Sequence, residues 1–163
     1  MRYVLLALAL VVSAAARAPA ATKTSPLGVD THVHANCVLR APESLNFGSY
    51  GPENLKGEAL KGAADVFTIA CTKNTPGVKI ALNNGRHFNH GRRHLEHFRG
   101  KAHVIYQIYT NARRNVVWNE TNTVAYIARS GQPTAITMYG KVPGDQKVIA
   151  GEYSDTLTAT VNF

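Results

Sequence analysis

The chain has 163 residues, seven histidines and a formal net charge of +8, with only 17% of its residues charged. That length supplies one domain with a real core, and the basic balance suits polyanions such as nucleic acid, acidic polysaccharide or anionic lipid without choosing among them. The two cysteines, Cys37 and Cys71, lack the C-x-x-C spacing of a redox or metal pair.

In chain order, Arg2, the apolar run Val4–Val12 and Ala18-Pro19-Ala20 have the three parts of a secretory signal, with cleavage expected after Ala20 and Ala16 or Ala18 as alternative ends. Nine apolar residues fall short of the roughly 20 that span a bilayer, so no permanent membrane anchor is expected. Removing Arg2 and Arg17 with the signal lowers the charge to +6. Export argues against nucleic acid as the working partner. It also places the cysteines in an oxidising space, where their even number and wide separation favour one intrachain disulfide.

Residues 21–26 are rich in Thr, Ser, Lys and Pro and read as mobile. Leu27, Val29, Thr31, Val33, Ala35 and Cys37 then alternate with polar or small residues, a strand pattern longer than one strand needs. It predicts that the stretch serves two strand roles, early and late. Pro42 opens a connection to Leu45–Tyr50, and Gly51-Pro52 breaks the chain. Over Ala64–Thr72 alternation returns, with Phe67, Ile69 and Cys71 on one side, where a disulfide partner should be buried. Asn74-Thr75-Pro76-Gly77 is turn chemistry before a short strand at Val78–Leu82.

Residues 83–102 are the most unusual stretch. They carry Arg86, Arg92, Arg93, Arg99 and Lys101 against a single acid, Glu96, together with His87, His90, His94 and His97. Strands are expected at Val104–Tyr109, Val116–Trp118, Thr123–Ile127 and Ala135–Val142. The last strand spans Gly151–Phe163: Tyr153, Leu157, Ala159, Val161 and Phe163 share one face, which only Asp155 interrupts. A core strand should have a neighbour on each side, yet this one comes last, with no further strand after it. The one helical candidate outside the signal is Arg92–Arg99, about two turns. Short strands with Gly/Pro turns every 8 to 12 residues predict an all-β sandwich.

The sequence holds no catalytic motif of the G-x-S-x-G, H-E-x-x-H or phosphate-loop type, and its ten carboxylates are scattered singly, so no enzyme, catalytic residue or cofactor is expected. His90, His94 and His97 have spacings that would align metal ligands on a helix. Gly91 and the surrounding guanidinium groups oppose this, and the stretch reads as a basic surface loop with solvated histidines and no metal. Trp118, Tyr106 and Tyr109 read as core aromatics rather than a ligand platform, and Asn119-Glu120-Thr121 as a coincidental glycosylation pattern.

A series of segments resembles the spore coat protein U domain of the archaic, Csu-type chaperone-usher pilins. They are Ala35-Asn36-Cys37-Val38, Leu45-Asn46-Phe47-Gly48-Ser49-Tyr50, Ile69-Ala70-Cys71-Thr72-Lys73, Val78-Lys79-Ile80-Ala81-Leu82-Asn83 and Arg92-Arg93. Tyr106-Gln107-Ile108-Tyr109-Thr110, Val117-Trp118, Met138–Pro143 and Ala150–Thr156 complete the series. No segment is specific alone; their joint order and spacing are.

The resemblance implies an incomplete immunoglobulin-like sandwich lacking its C-terminal strand. The gap is filled first by a strand of a periplasmic chaperone and then by the N-terminal extension of the next subunit, which makes a fibre. It divides the chain into a signal peptide (1–20), a donor extension (21–34) and a pilin-like domain (35–163). Carried over, the donor positions are Leu27, Val29, Thr31 and Val33, and the acceptor groove is lined by Leu157, Ala159, Val161 and Phe163. The implied partners are the chaperone, an outer-membrane usher and neighbouring pilins, with adhesion or biofilm formation on the cell surface as the role. Two alternatives stand beside it: a spore or cell coat protein, and a secreted metal- or glycan-binding module using the loop 86–103.

Overall fold

The structure, a computed structural model, describes residues 21–57, 59, 65–100 and 102–163, so the expected signal peptide lies outside the described residues. The chain divides into two units, Met1–His32 and Val33–Phe163. In the first, residues 21–32 are exposed and form no strand. Leu27 and Val29 are each 87% exposed. The alternation that predicts a strand from Leu27 thus finds no ladder until Cys37, because a lone extended segment with no partner has nothing to bond to.

The second unit is an all-β, immunoglobulin-like sandwich; its one departure among the described residues is a 3-10 turn at Asn54–Lys56. Its strands are β1 (Cys37–Arg40), β2 (Asp65–Cys71), β3 (Lys79–Leu82), β4 (Arg93–His97), β5 (His103–Tyr109), β6 (Val124–Ala125), β7 (Thr134–Lys141), β8 (Tyr153–Ser154) and β9 (Ala159–Asn162). One sheet has the order β1-β2-β7-β5-β4-β8 and the other β6-β3-β9. Every ladder is antiparallel.

The core lies between the sheets. Phe67 and Ile69 of β2, Val104, Tyr106 and Ile108 of β5, and Met138 of β7 meet Ile80 and Leu82 of β3. Trp118 is fully buried against Phe67 and donates its indole N–H to the Ile80 carbonyl at 2.9 Å, tying the irregular 110–123 segment to β3. Val117 makes only an isolated bridge to Tyr109, so the expected strand there is reduced to a single pairing.

Two expectations are corrected. Arg92–Arg99 is not a helix: residues 93–97 are β4, paired with β5 through Arg93↔Tyr106 and Leu95↔Val104. Arg93 and His97 of this strand are buried, so the stretch is only in part a solvated loop. Nor is 151–163 one strand: it divides into β8, which pairs with β4, and β9, which pairs with β3 in the other sheet.

Cys37 and Cys71 are partners in the β1/β2 ladder and form a disulfide, closing a separation of 34 residues. On the chain-entropy account this stabilises the fold by about 3 to 4 kcal/mol. The double variant Cys37→Ser/Cys71→Ser is expected to lower the urea unfolding free energy by about that amount and to raise the m-value, since the unlinked unfolded chain exposes more surface.

Candidate functional site

An open groove runs along the sandwich beside the three-stranded sheet. One wall is the irregular segment 42–52 that follows β1; the other is 148–159, which contains β8 and leads into β9. The floor is core: Phe67, Tyr106, Ile108, Met138 and Val142. Two cavities of about 960 and 230 Å³ share Leu45, Ile108, Asp155 and Leu157, so they form one continuous trough. The groove borders the edge of the sheet, since β9 is bonded to β3 on one side and to no other described strand.

Each wall follows from local sequence. Leu45 and Phe47 alternate with exposed neighbours and point onto the floor, where Phe47 packs edge-on against Tyr106. They reach it because Gly140 of β7 has no side chain: a Cβ there would stand 2.5 Å from the Phe47 ring and 2.9 Å from Leu45. Tyr50 fixes the next stretch, its hydroxyl accepting from the Gln146 N–H at 3.0 Å. On the opposite wall Tyr153, Asp155, Leu157, Ala159 and Val161 are half-buried, and the residues between them are exposed.

Asp155 explains both the interruption in that pattern and the split of the strand. Its side chain is fully buried. It accepts hydrogen bonds from the Tyr106 hydroxyl at 2.6 Å and from the backbone N–H groups of Arg86 at 2.9 Å and His87 at 3.2 Å. The chain there leaves one sheet for the other, and the carboxylate bonds at the crossing replace ladder bonds. Gly85, with φ of +84°, lets the loop approach, since a Cβ would collide with this carboxylate. The His87 ring lies between two acids, Nε2 2.6 Å from Glu96 and Nδ1 3.3 Å from Asp155.

Arg93 lies beside this network. Its guanidinium donates to the carbonyls of Asn83 at 2.5 Å and Trp118 at 2.8 Å, and its pKa is lowered by desolvation. Burial, followed by the hydrogen bond to Asp155, pushes the Tyr106 hydroxyl well above the ordinary tyrosine value.

Of the residues predicted for the site, Leu157 and Ala159 line the groove. Val161 packs against the core from β9 and Phe163 is 56% exposed; neither lines the trough. Leu27, Val29 and Val33 are exposed. The opposite wall, with Leu45, Phe47 and Tyr50, was missed by sequence reasoning, although the alternation of Leu45 and Phe47 ahead of Gly48 carries the signal. Among the described residues no group of three His, Cys, Asp or Glu is placed to hold a metal ion, and no helix is long and apolar enough to cross a membrane.

The profile of the Spore Coat Protein U domain matches residues 23–160. The chain belongs to that family. It is 29% identical over 159 residues to Protein U of Myxococcus xanthus, covering 90% of this chain and 88% of that protein. In fold it is similar to a chain in the crystal structure of the CsuC-CsuE chaperone-tip adhesion subunit pre-assembly complex from the archaic chaperone-usher Csu pili of Acinetobacter baumannii. The TM-score is 0.54 and the identity 24%; the match covers 80% of this chain and spans 40% of that one.

Tyr106→Phe removes one donor from the buried Asp155 carboxylate and is expected to destabilise this family member by about 1 to 3 kcal/mol in urea unfolding. The raised Tyr106 pKa gives stability that is present below the unfolded tyrosine value near pH 10 and is lost as pH climbs above it. A titration of unfolding free energy from pH 8 to 11 should therefore fall at the alkaline end for the native chain and less steeply for Tyr106→Phe.

Proposed function

We propose that this chain is a non-catalytic structural subunit of a surface fibre, exported through the periplasm and polymerised by donor-strand exchange. The observation that carries it is the open apolar groove, flanked by the free edge of β9, in a chain whose residues 27–33 alternate apolar side chains and find no ladder of their own. The reading is supported by membership in the Spore Coat Protein U domain family and by a fold shared with a chain of a chaperone-subunit complex of archaic pili.

An exposed strand edge beside an open groove with an apolar floor is an aggregation hazard that proteins do not leave unmanaged. A strand inserted along the trough would pair with β9 and place alternate side chains on the floor. Leu27, Val29 and Val33 would each gain roughly 1.5 to 3 kcal/mol from full burial, with Thr31 as the smaller residue between them. A periplasmic chaperone fills the groove first, delivery is at an outer-membrane usher, and the extension of a neighbouring subunit replaces the chaperone strand. Each contact is head-to-tail and does not close on itself, so the product is a filament suited to adhesion or biofilm formation. The family's name supports a second reading, a structural protein of the same fold deposited in a cell or spore coat without forming pili. Electron microscopy of shed surface material separates the two, filaments against sheets.

The test is the assembled chain on a denaturing gel with and without boiling. Donor-strand exchange predicts a ladder of multimers that heating collapses, its loss on deletion of residues 21–33, and marked weakening by Val29→Asp, which places a charge on the groove floor. Assembly unaffected by the deletion would end this reading.

A further inference from the structure

The Arg/His-rich stretch serves two purposes that the structure separates. Arg93 and His97 are inside, and His87 is held between Glu96 and Asp155. Arg86, Phe88, His90 and Arg92 are exposed. They lie on a hairpin closed by reciprocal backbone bonds of 2.9 Å between Asn89 and Arg92. His90 and Gly91 at its tip have φ of 47° and 74°, the positive pair that a tight two-residue hairpin turn requires.

The root is equally fixed. Asp155 takes the N–H groups of Arg86 and His87, and Asn83 takes those of Gly85 at 3.1 Å and Thr158 at 2.9 Å. Both acids near the hairpin are occupied, Glu96 by His87 and Asp155 by Tyr106. Neither Arg86 nor Arg92 has a carboxylate within ion-pair distance among the described residues. The result is a preorganised hairpin whose exposed side chains include two guanidinium groups with no carboxylate within ion-pair distance among the described residues, together with Phe88, which is 43% exposed.

We propose that the 86–92 hairpin is a binding site for acidic polysaccharide, with Arg86 and Arg92 gripping carboxylate or sulfate groups and Phe88 covering a sugar face. Guanidinium forks match the geometry of such anions, and a rigid loop loses little freedom on binding. A membrane is the poorer fit: Phe88 is followed by Asn89, His90 and Gly91, which offer no apolar surface to bury in lipid. A nucleic acid strand needs a row of stacking aromatics along a basic groove, and this hairpin exposes one. Residues 86–92 line neither cavity of the strand-exchange groove, and in a fibre the repetition of the site would add avidity.

The experiment measures binding of the full chain to immobilised heparin and polygalacturonate, with neutral dextran and phosphatidylcholine vesicles with and without phosphatidylglycerol as comparisons, at 50 and 300 mM NaCl. The expected result is salt-sensitive binding to one or both acidic polymers and none to dextran. Arg86→Gln/Arg92→Gln should weaken it about tenfold or more and flatten the salt dependence, whereas Phe88→Ala should weaken it with the salt dependence retained. Lys79→Gln/Arg129→Gln makes the same change in net charge at other exposed positions and should leave binding within about twofold. Equal loss in both double variants, equal binding to dextran, or binding only to anionic vesicles would overturn the proposal. All substituted side chains are exposed, and an unchanged near-ultraviolet circular dichroism spectrum confirms that each variant folds.

Discussion

Three strands face six in this sandwich, and an open groove follows the edge of the smaller sheet. Phe67, Tyr106, Ile108 and Met138 of the larger sheet pack in the core and also floor this trough, with two irregular segments rising on either side of it. Apolar burial favours closing such a trough by collapse. Here the walls are held apart by polar fastenings, namely Tyr50 on Gln146 on one side and Asp155 on Tyr106 on the other. These bonds tie both rims of the trough to the body of the sandwich.

Asp155 carries the largest share of that work. A buried carboxylate is tolerable only if its oxygens are satisfied, and this one meets a phenol and two backbone N–H groups from a loop some 70 positions earlier in the chain. The bonds bend residues 155–158 away from the six-stranded sheet and deliver β9 to β3. They also fix the base of the 86–92 hairpin. Groove wall and hairpin root therefore share one support.

Where a strand is half-buried, its alternation was legible: Phe67, Ile69 and Cys71 point inward as their spacing indicates, β5 and β7 fall within a residue of expectation, and the cysteines pair across a ladder. Pattern failed where polar residues do the burying. Arg93 reads as a surface charge, yet its partners, the carbonyls of Asn83 and Trp118, lie 10 and 25 residues away and leave no local trace. Residues 92–99 were the one helical candidate, while Arg93, Leu95 and His97 also satisfy period two, and the β5 ladder decided between the periods. The interruption at Asp155 was visible as an anomaly. That it marks a crossing between sheets depended on Tyr106 and the 85–87 backbone, which only the folded chain brings together.

The same reasoning explains why a strongly basic stretch can be both scaffold and surface. In a strand the two parities face opposite environments, so a run of Arg and His cannot be uniformly solvated once it joins a sheet. The inward members must find acceptors, and Arg93 and His97 find backbone carbonyls; His97 Nε2 lies 3.3 Å from the Ala150 carbonyl. Beyond the strand the turn at His90-Gly91 releases the chain from this parity, and the cations there face water with no acid left to neutralise them. The two acids nearest to them along the fold, Glu96 and Asp155, are engaged with His87, Tyr106 and the root of the hairpin.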